Sequence, residues 1–297
     1  IAISQAHGIA PLVSILDDGT PLAQQHAADA IAQLAKDNED NQMQSCKHLV
    51  GLITNGVDGA QRRGARVIAE LAKHNPGSPV IIVNAGAISP LATLLSTGSK
   101  EVKEEASAAL SNLSLNSPST QFAIATALVG LIGVGSADGQ EHVTGLLLTL
   151  ASDSNNLVAI ARAGAIAPLV TQLRGLGQTS TKAQELAAAV LSHLSRASAA
   201  NADAIANASA IKPLVMLLPK PADAALNAAL SAAPPAEVAH AEAHAAMVLA
   251  DLANRSTRNK TAMLLGIPPL VALLSKDMFP MKARAEAAGA LRSLATG

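Results

Sequence analysis

The sequence predicts an all-α solenoid, a fold built from tandem repeats of short helices. The stretch AGAISPLATLL at residues 85–95 returns as AGAIAPLVTQL at residues 163–173. This interval is close to twice the period of about 40 residues that is typical of some helical repeat arrays. The chain is 49% hydrophobic but only 1% aromatic, so its core must consist of Ala, Leu, Ile and Val. Strand-like alternation is absent, which leaves closely packed helices as the prediction.

Seven units emerge when the chain is aligned on its Pro-Leu phrase and on a leucine near the end of each later helix. The aligned pairs are Pro11 and Leu34, His48 and Leu71, Pro90 and Leu113, Ala127 and Leu150, Pro168 and Leu194, Pro213 and Leu252, and Pro269 and Leu294. The first four pairs share a separation of 23 residues. We therefore predict one domain over residues 1–297, with units at about 1–38, 39–75, 76–115, 116–152, 153–199, 200–254 and 255–297.

Each unit is predicted to contain a short helix, a break, a second helix that starts near the proline, and a longer third helix. Four glycines precede the second helix, where only glycine enters positive φ without strain; they are Gly8, Gly86, Gly164 and Gly266. In the third unit, spacings of three, four and seven residues predict one buried face of a helix. Its members are Val102, Ala106, Ala109, Leu110 and Leu113.

AGAISPLATLL, followed by GSKEVKEEASAALSNLS, resembles the armadillo repeat. The resemblance implies three helices per unit, stacked into a right-handed superhelix whose concave groove is lined by the third helices. It covers nearly the whole chain and is weaker in units two and four, where His48 and Ala127 replace the proline and the glycine is missing. It further implies that the chain binds proteins, because family members usually do.

Little of the family's peptide-binding pattern carries over. Members such as the importin-α family carry asparagine one residue before the aligned leucine, and tryptophan four residues before that asparagine. Here the asparagine positions hold Gln33, Glu70, Asn112, Thr149, His193, Asp251 and Ser293, and the tryptophan positions hold Asp29, Arg66, Ala108, Gly145, Ala189, Met247 and Gly289. Only Asn112 matches, which argues against a nuclear-import receptor. The candidate groove residues are Asp29, Gln33, Arg62, Arg66, Glu70, Glu104, Asn112, Glu185, His193 and Asp251.

The last unit is strongly basic. Its cations form a candidate anchor for an acidic partner surface, or else a solvated face; they are Arg255, Arg258, Lys260, Lys282, Arg284 and Arg292. The whole chain has a formal net charge of −1, which argues against a general attraction to nucleic acid or anionic lipid. The longest apolar run, which starts at Phe122, is too short to cross a bilayer. We expect protein partners, presented as extended segments, helices or acidic surfaces.

Catalytic and metal sites have no convincing candidate, and no cofactor is expected. His240 and His244 share a helix face at a spacing of four, but Glu242 is predicted on the opposite side and no third ligand is evident. Cys46 is interpreted as an ordinary thiol. Unit six carries an insertion at residues 219–235, which is either a low-complexity linker or a lateral contact for a partner.

The sequence thus favours a non-catalytic scaffold for protein–protein interactions, acting within a larger assembly. Two alternatives remain open: the substrate-binding armadillo region of a U-box-type ubiquitin ligase, which EEASAALSNLSLNS resembles, and a purely structural subunit of an axonemal or membrane-associated complex. The single cysteine suits the reducing cytoplasm. An organellar location stays open because the chain starts at Ile1 without methionine and looks like part of a longer one.

Overall fold

Helices account for all regular secondary structure in the part of the chain that the structure, a computed structural model, describes. The described residues are 3, 6–36, 38–74, 77–115, 117–175, 179–219, 236–274 and 279–296. They divide into two compact units, Ile1–Leu146 and Leu147–Gly297. The prediction of an all-α fold is confirmed over these ranges, while the predicted insertion at 219–235 lies, apart from Pro219, outside them.

The first compact unit contains eight complete helices and most of a ninth among its described residues. They are α1 Ile9–Asp18, α2 Pro21–Ala35, α3 Glu39–Asn55, α4 Asp58–His74, α5 Ser78–Asn84, α6 Ile88–Thr97, α7 Lys100–Ser114, α8 Pro118–Val129 and α9 Ala137–Ala151. The boundary between the two compact units falls inside α9. Helices α2, α4, α7 and α9 are the long third helices that the repeat pattern predicts.

The second compact unit continues the same alternation of short and long helices. Its described elements are α10 Ser154–Arg162, α11 Ile166–Leu173, α12 Thr181–Ala197, α13 Ala199–Asn207, α14 Ile211–Leu217, α15 Ala236–Ala253, α16 Thr257–Ala262, a 3-10 turn Leu264–Gly266, α17 Ile267–Ala272 and α18 Met281–Ala295. The long helix α15 packs against both α12 and α18. Third helices of successive repeats therefore lie side by side in this unit.

The break between first and second helices occurs at a backbone position of positive φ, four residues before the aligned proline. Gly86 and Gly164 take φ of 83° and 80° there, as predicted. The prediction is wrong for Gly8 and Gly266, whose φ values are −73° and −84°. Both lie three residues before their prolines. Gly8 is thus one residue beyond the break, whereas no described residue of the seventh repeat has positive φ.

Two other residues occupy the positive-φ position in the first and sixth repeats. His7 and Ser209 have φ of 55° and 61°, which costs a non-glycine residue on the order of 1–3 kcal/mol. Gly8 serves a different purpose, because a Cβ atom there would lie 2.6 Å from Cγ2 of Ile3. The glycine allows close packing of the chain rather than an unusual dihedral angle.

The predicted break between first and second helices is absent from the second and fourth repeats. Helix α3 runs unbroken from Glu39 to Asn55, straight through His48, and α8 passes Ala127 without interruption. Neither repeat has a glycine at the break, and neither has a proline to disfavour helical geometry at the preceding residue. The two short helices therefore fuse into one.

The core is built from small aliphatic side chains, as composition predicts. The five residues predicted to form the buried face of α7 are all at most 1% exposed, and the aligned leucines Leu71, Leu150 and Leu252 are also buried. Ala60, Ala65 and many other alanines are fully buried between helices, which permits close helix packing in a core whose one buried aromatic side chain among the described residues is Phe279.

Side-chain amides connect each of several repeats to the one before it. Asparagines near the start of α3, α10, α13 and α16 donate from Nδ2 to the main-chain carbonyl of the aligned leucine in the preceding third helix. The bonds run from Asn41 to Leu34 at 2.8 Å, from Asn156 to Leu150 at 3.0 Å, from Asn201 to Leu194 at 3.1 Å and from Asn259 to Leu252 at 2.9 Å. We call these four bonds the asparagine locks. They satisfy carbonyls that a helix end leaves without a partner.

Among the described residues, no single helix has both the length and the apolar character needed to cross a membrane. In two bent helix pairs, the two helices of the pair reach that length and composition only when they are counted as one segment. They are Ser78–Asn84 with Ile88–Thr97, bent by 79°, and Ser154–Arg162 with Ile166–Leu173, bent by 88°.

Candidate functional site

A cavity of about 430 Å³ opens between the third helices α2 and α4 of the first two repeats. Four of the predicted groove residues line it: Asp29 from α2, and Arg62, Arg66 and Glu70 from α4. These side chains meet because positions four apart share one face of a helix. The sequence pattern therefore places several predicted residues around one cavity.

The two acidic groups in this cavity already have partners. Gln25 Nε2 donates to Oδ1 of Asp29 at 2.9 Å. Lys73 Nζ lies 3.1 Å from Oε1 of Glu70 in an i,i+3 ion pair. The charge of Glu70 is thereby partly neutralised, and one oxygen of Asp29 is occupied.

The arginines of α4 behave differently from one another. Arg63 reaches across to α1, where its Nε donates to the carbonyl of Leu16 and its Nη2 donates to the carbonyl of Asp17 at 3.2 Å. Burial and the neighbouring Arg62 lower the pKa of Arg63, against the opposing effect of Asp17. Arg63 thus stabilises the end of α1. Arg62 and Arg66 are exposed and make no ion pair with any described residue.

Helix α7 adds an acidic and polar face next to α4. Glu104 is exposed, and Ala108 one turn later is also exposed. Asn112 is partly buried, and its Nδ2 donates to the carbonyl of Ala69 on α4 at 3.1 Å. The one asparagine that matches the family pattern therefore bridges two third helices and keeps its second amide hydrogen and its carbonyl oxygen for other contacts.

In the second compact unit, Glu185 is buried rather than presented on an open face. Its carboxylate lies 2.7 Å from Nζ of Lys182 and 3.5 Å from Nδ1 of His240 on α15. At 7% exposure, Glu185 joins α12 to α15 more than it offers a contact to solvent.

The other predicted residues of this unit, His193 and Asp251, are half-buried. Asp251 Oδ2 accepts a hydrogen bond from Oγ of Ser195 at 2.7 Å. Burial, followed by Arg196 and Lys282, lowers the pKa of His193. Gln33, in the first compact unit, is exposed near the end of α2.

Two polar residues of α15 are withdrawn from solvent, Glu242 fully and His244 in part. Glu242 is buried with its Oε2 atom unpartnered, and burial raises its pKa to about 8. His244 Nδ1 lies 3.3 Å from Oγ of Ser192, and its pKa falls to about 4 through burial, then through Lys282, His193 and His240. The alanine-rich sequence HAEAH contains no apolar stripe that would have revealed which polar residue is buried. No group of three potential metal ligands occurs in the described ranges.

The predicted basic anchor is spread over three segments. Arg255 follows α15, Arg258 and Lys260 lie on α16, and the rest lie on α18. Arg258 lines a cavity of about 610 Å³ between α13 and α16, together with Lys212 and Asp203. Lys282 instead lowers the pKa of His193 and His244 on the third helices. Arg292 is exposed, whereas Arg284 is half-buried with an unpartnered Nε.

The model of the armadillo/beta-catenin-like repeat matches residues 75–115, which contain α5, α6 and α7. Residues 75–115 therefore form an armadillo repeat. The resemblance carried by AGAISPLATLL is thereby confirmed. The fused helices α3 and α8 mark the armadillo repeats that depart furthest from the three-helix pattern.

Solved structures agree with this armadillo fold. Two crystal structures of engineered proteins from the Northeast Structural Genomics Consortium are similar. One is 26% identical, covers 84% of this chain and 96% of its own, and has a TM-score of 0.59. The other is 27% identical, covers 100% of this chain and 80% of its own, and has a TM-score of 0.50. A designed armadillo repeat protein in complex with the peptide (KR)4 is 20% identical. Its alignment covers 96% of this chain and 99% of the designed protein, with a TM-score of 0.44. No curated protein matches the sequence.

Proposed function

We propose that this armadillo-repeat protein is a non-catalytic scaffold that binds protein partners along its third helices, within a larger assembly. One observation carries the proposal: Arg62, Arg66 and Glu104 are exposed on adjacent third helices and make no ion pair with any described residue. Charged side chains that a fold leaves unpaired around a cavity are available to a ligand.

The surface between these charges suits a polypeptide main chain. Ala108 is exposed and small, so a backbone can approach α7 closely. Asn112 lies one turn further along, with one amide hydrogen and its carbonyl oxygen still available after its bond to Ala69. An extended segment bound here would gain main-chain hydrogen bonds from the amide and side-chain selectivity from the charges.

The basic groups of the last repeat would provide a second contact for an acidic surface. Arg258 and Lys212 both line the cavity between α13 and α16 and are both exposed. Exposed ion pairs contribute only about 0.2–1 kcal/mol each, so this contact would add to binding without dominating it. An Arg258→Glu variant should bind a scaffold partner less tightly at low salt and equally at high salt.

The test is a selection of random 12-residue peptides against the purified chain, followed by affinity measurements on the enriched sequences. We expect Arg66→Ala and Asn112→Ala to weaken an enriched peptide at least fivefold. The matched controls are Lys47→Ala and Asn55→Ala, which remove a positive charge and an asparagine at exposed positions of α3. Failure to enrich any peptide, or equal losses in the controls, would show that the third helices are not the binding surface.

A further inference from the structure

Neighbouring third helices in the first compact unit carry opposite charges. On α4, Arg62 and Arg66 are exposed one turn apart. On α7, three glutamates occupy the corresponding stretch, of which Glu101 and Glu104 are exposed and Glu105 is half-buried. Like charges one turn apart repel each other, so each set of like charges favours the approach of an opposite charge.

The hydrogen bond between Asn112 and Ala69 aligns the two helices. The third helices of consecutive repeats run in the same direction. Residues that lie the same number of positions before this bond on α4 and on α7 therefore lie side by side. Seven residues before Ala69 is Arg62, and seven before Asn112 is Glu105. The arginine and glutamate sets therefore lie at the same level, yet no ion pair joins them within 4.0 Å.

The cavity beside α4 favours a carboxylate as the group that pairs with the arginines. Glu70 forms an ion pair with Lys73, and one oxygen of Asp29 accepts a hydrogen bond from Gln25. Arg62 and Arg66 form no ion pair with any described residue. A guanidinium binds a carboxylate through two parallel hydrogen bonds. The cavity volume of about 430 Å³ leaves room for an aspartate or glutamate side chain.

We infer that the first compact unit binds an extended segment of a partner in which an acidic residue and a basic residue are two positions apart. The acidic side chain enters the cavity between α2 and α4, and the basic side chain lies over the glutamates of α7. Side chains of an extended chain point to the same face at every second residue, about 6.6 Å along the chain. The long side chains of the arginines and of the partner's basic residue bridge the rest of the distance between packed helices, which are about 8–10 Å apart. This inference rests on the proposed scaffold function and specifies which segments that scaffold selects.

The experiment compares five synthetic peptides with a common alanine and serine background. They carry Glu-x-Lys, Lys-x-Glu, Glu-x-Glu, Lys-x-Lys or Gln-x-Gln at the centre, and binding is measured by fluorescence anisotropy at low salt. We expect one of the two mixed-charge peptides to bind at least tenfold more tightly than each uniform peptide, because binding has a single direction.

Variants of the protein identify which helix selects which charge. The double variant Arg62→Glu with Arg66→Glu should change the preference, so that Lys-x-Lys becomes the tightest ligand. The control, Lys47→Glu with Arg174→Glu, changes the net charge equally at two exposed residues outside the cavity and should keep the parent's ranking. Circular dichroism should show equal helicity for parent and variants.

Four outcomes would overturn the inference, and they differ in what they leave standing. Equal binding of all five peptides would preserve the scaffold function but refute charge selection. Equal binding of Glu-x-Glu and the best mixed peptide would remove α7 from the site. If none of the five binds while peptides from the random selection do, the inferred charge pattern is wrong; if neither set binds, the scaffold function fails as well.

Discussion

Asn112 on α7 donates a hydrogen bond from Nδ2 to the main-chain carbonyl of Ala69 on α4 at 3.1 Å. The bond links consecutive third helices at the surface that we propose for partner binding. The same side chain therefore contributes to stability and to recognition, and the two contributions can be separated by experiment.

Replacement of Asn112 by alanine should lower the free energy of unfolding by about 1 kcal/mol, the usual net value of one hydrogen bond. Urea denaturation followed by circular dichroism measures this change. Asn55→Ala serves as the control, because Asn55 is exposed and bonds only to Gly51 of its own helix at 3.3 Å. A loss in the control as large as that for Asn112 would show that the bridge to Ala69 contributes nothing specific.

The asparagine locks should matter more than the bridge, because they are better shielded from water. Asn259 is 9% exposed, so Asn259→Ala removes a bond of 2.9 Å and leaves the carbonyl of Leu252 without its partner. An unsatisfied buried polar group costs about 1–3 kcal/mol. Thermal and urea unfolding should show this loss, whereas Asn155→Ala, at an exposed position of α10, should change stability by less than about 0.5 kcal/mol.

The ion pair between Lys103 and Asp138 joins α7 to α9. Lys103 is buried, whereas Asp138 is largely exposed, so Asp138→Asn leaves an ammonium group with too little solvation. We expect a loss of about 1–3 kcal/mol at pH 7. The hydrogen bond from Lys103 is the main cause that lowers the pKa of Asp138.

Because that folded-state pKa is depressed, the stabilisation by Asp138 is present above the unfolded value of about 3.9. It disappears as the pH falls through the folded pKa. The unfolding curves of parent and Asp138→Asn should therefore converge below that pH. A difference that persists in strong acid would assign the loss to packing rather than to charge.

Buried Glu242 should make the protein less stable as the pH rises. Its pKa of about 8 exceeds the unfolded value of about 4.3, so the folded state holds a proton that the unfolded state releases. Between these values the free energy of unfolding falls by up to about 1.4 kcal/mol per pH unit. Glu242→Gln should flatten this fall, while exposed Glu104→Gln should not.

His244 has the opposite effect in a lower pH window. Its pKa of about 4 lies below the unfolded value of about 6.5, so its contribution to stability is present above pH 6.5 and is lost as the pH falls to about 4. Between about pH 4.5 and 6.5, His244 makes the free energy of unfolding rise with pH, whereas Glu242 makes it fall. Urea midpoints measured across this range should be nearly flat for the parent and should slope in opposite directions for His244→Gln and Glu242→Gln.

Sequence periodicity predicts the third helices and their buried faces because a repeating apolar pattern must be covered by the neighbouring repeat. The break is harder to predict, because positive φ depends on register as well as on residue type. Gly8 resembles Gly86 in sequence but lies one residue past the break, and His7 takes its conformation. Counting back four residues from each proline would have identified His7 and Ser209.

The binding surface is less predictable than the fold. The positions of Arg62 and Arg66 follow from the repeat alignment, and both line the cavity beside α4. The burial of Glu185 and Glu242 does not follow, because each lies in a helix so rich in alanine that polar and apolar faces are hard to distinguish. The asparagine locks were detectable: an asparagine recurs six or seven residues after four of the aligned leucines.

The unbroken helix α3 also has a mechanical consequence. A repeat with a glycine at its break can change its bend through two soft dihedral angles, whereas a continuous helix resists bending along its whole hydrogen-bonded length. A load on neighbouring repeats would therefore be absorbed first at Gly86, while Glu39–Asn55 transmits it nearly undeformed. Stiffness in this protein varies from repeat to repeat, according to the presence of a single glycine.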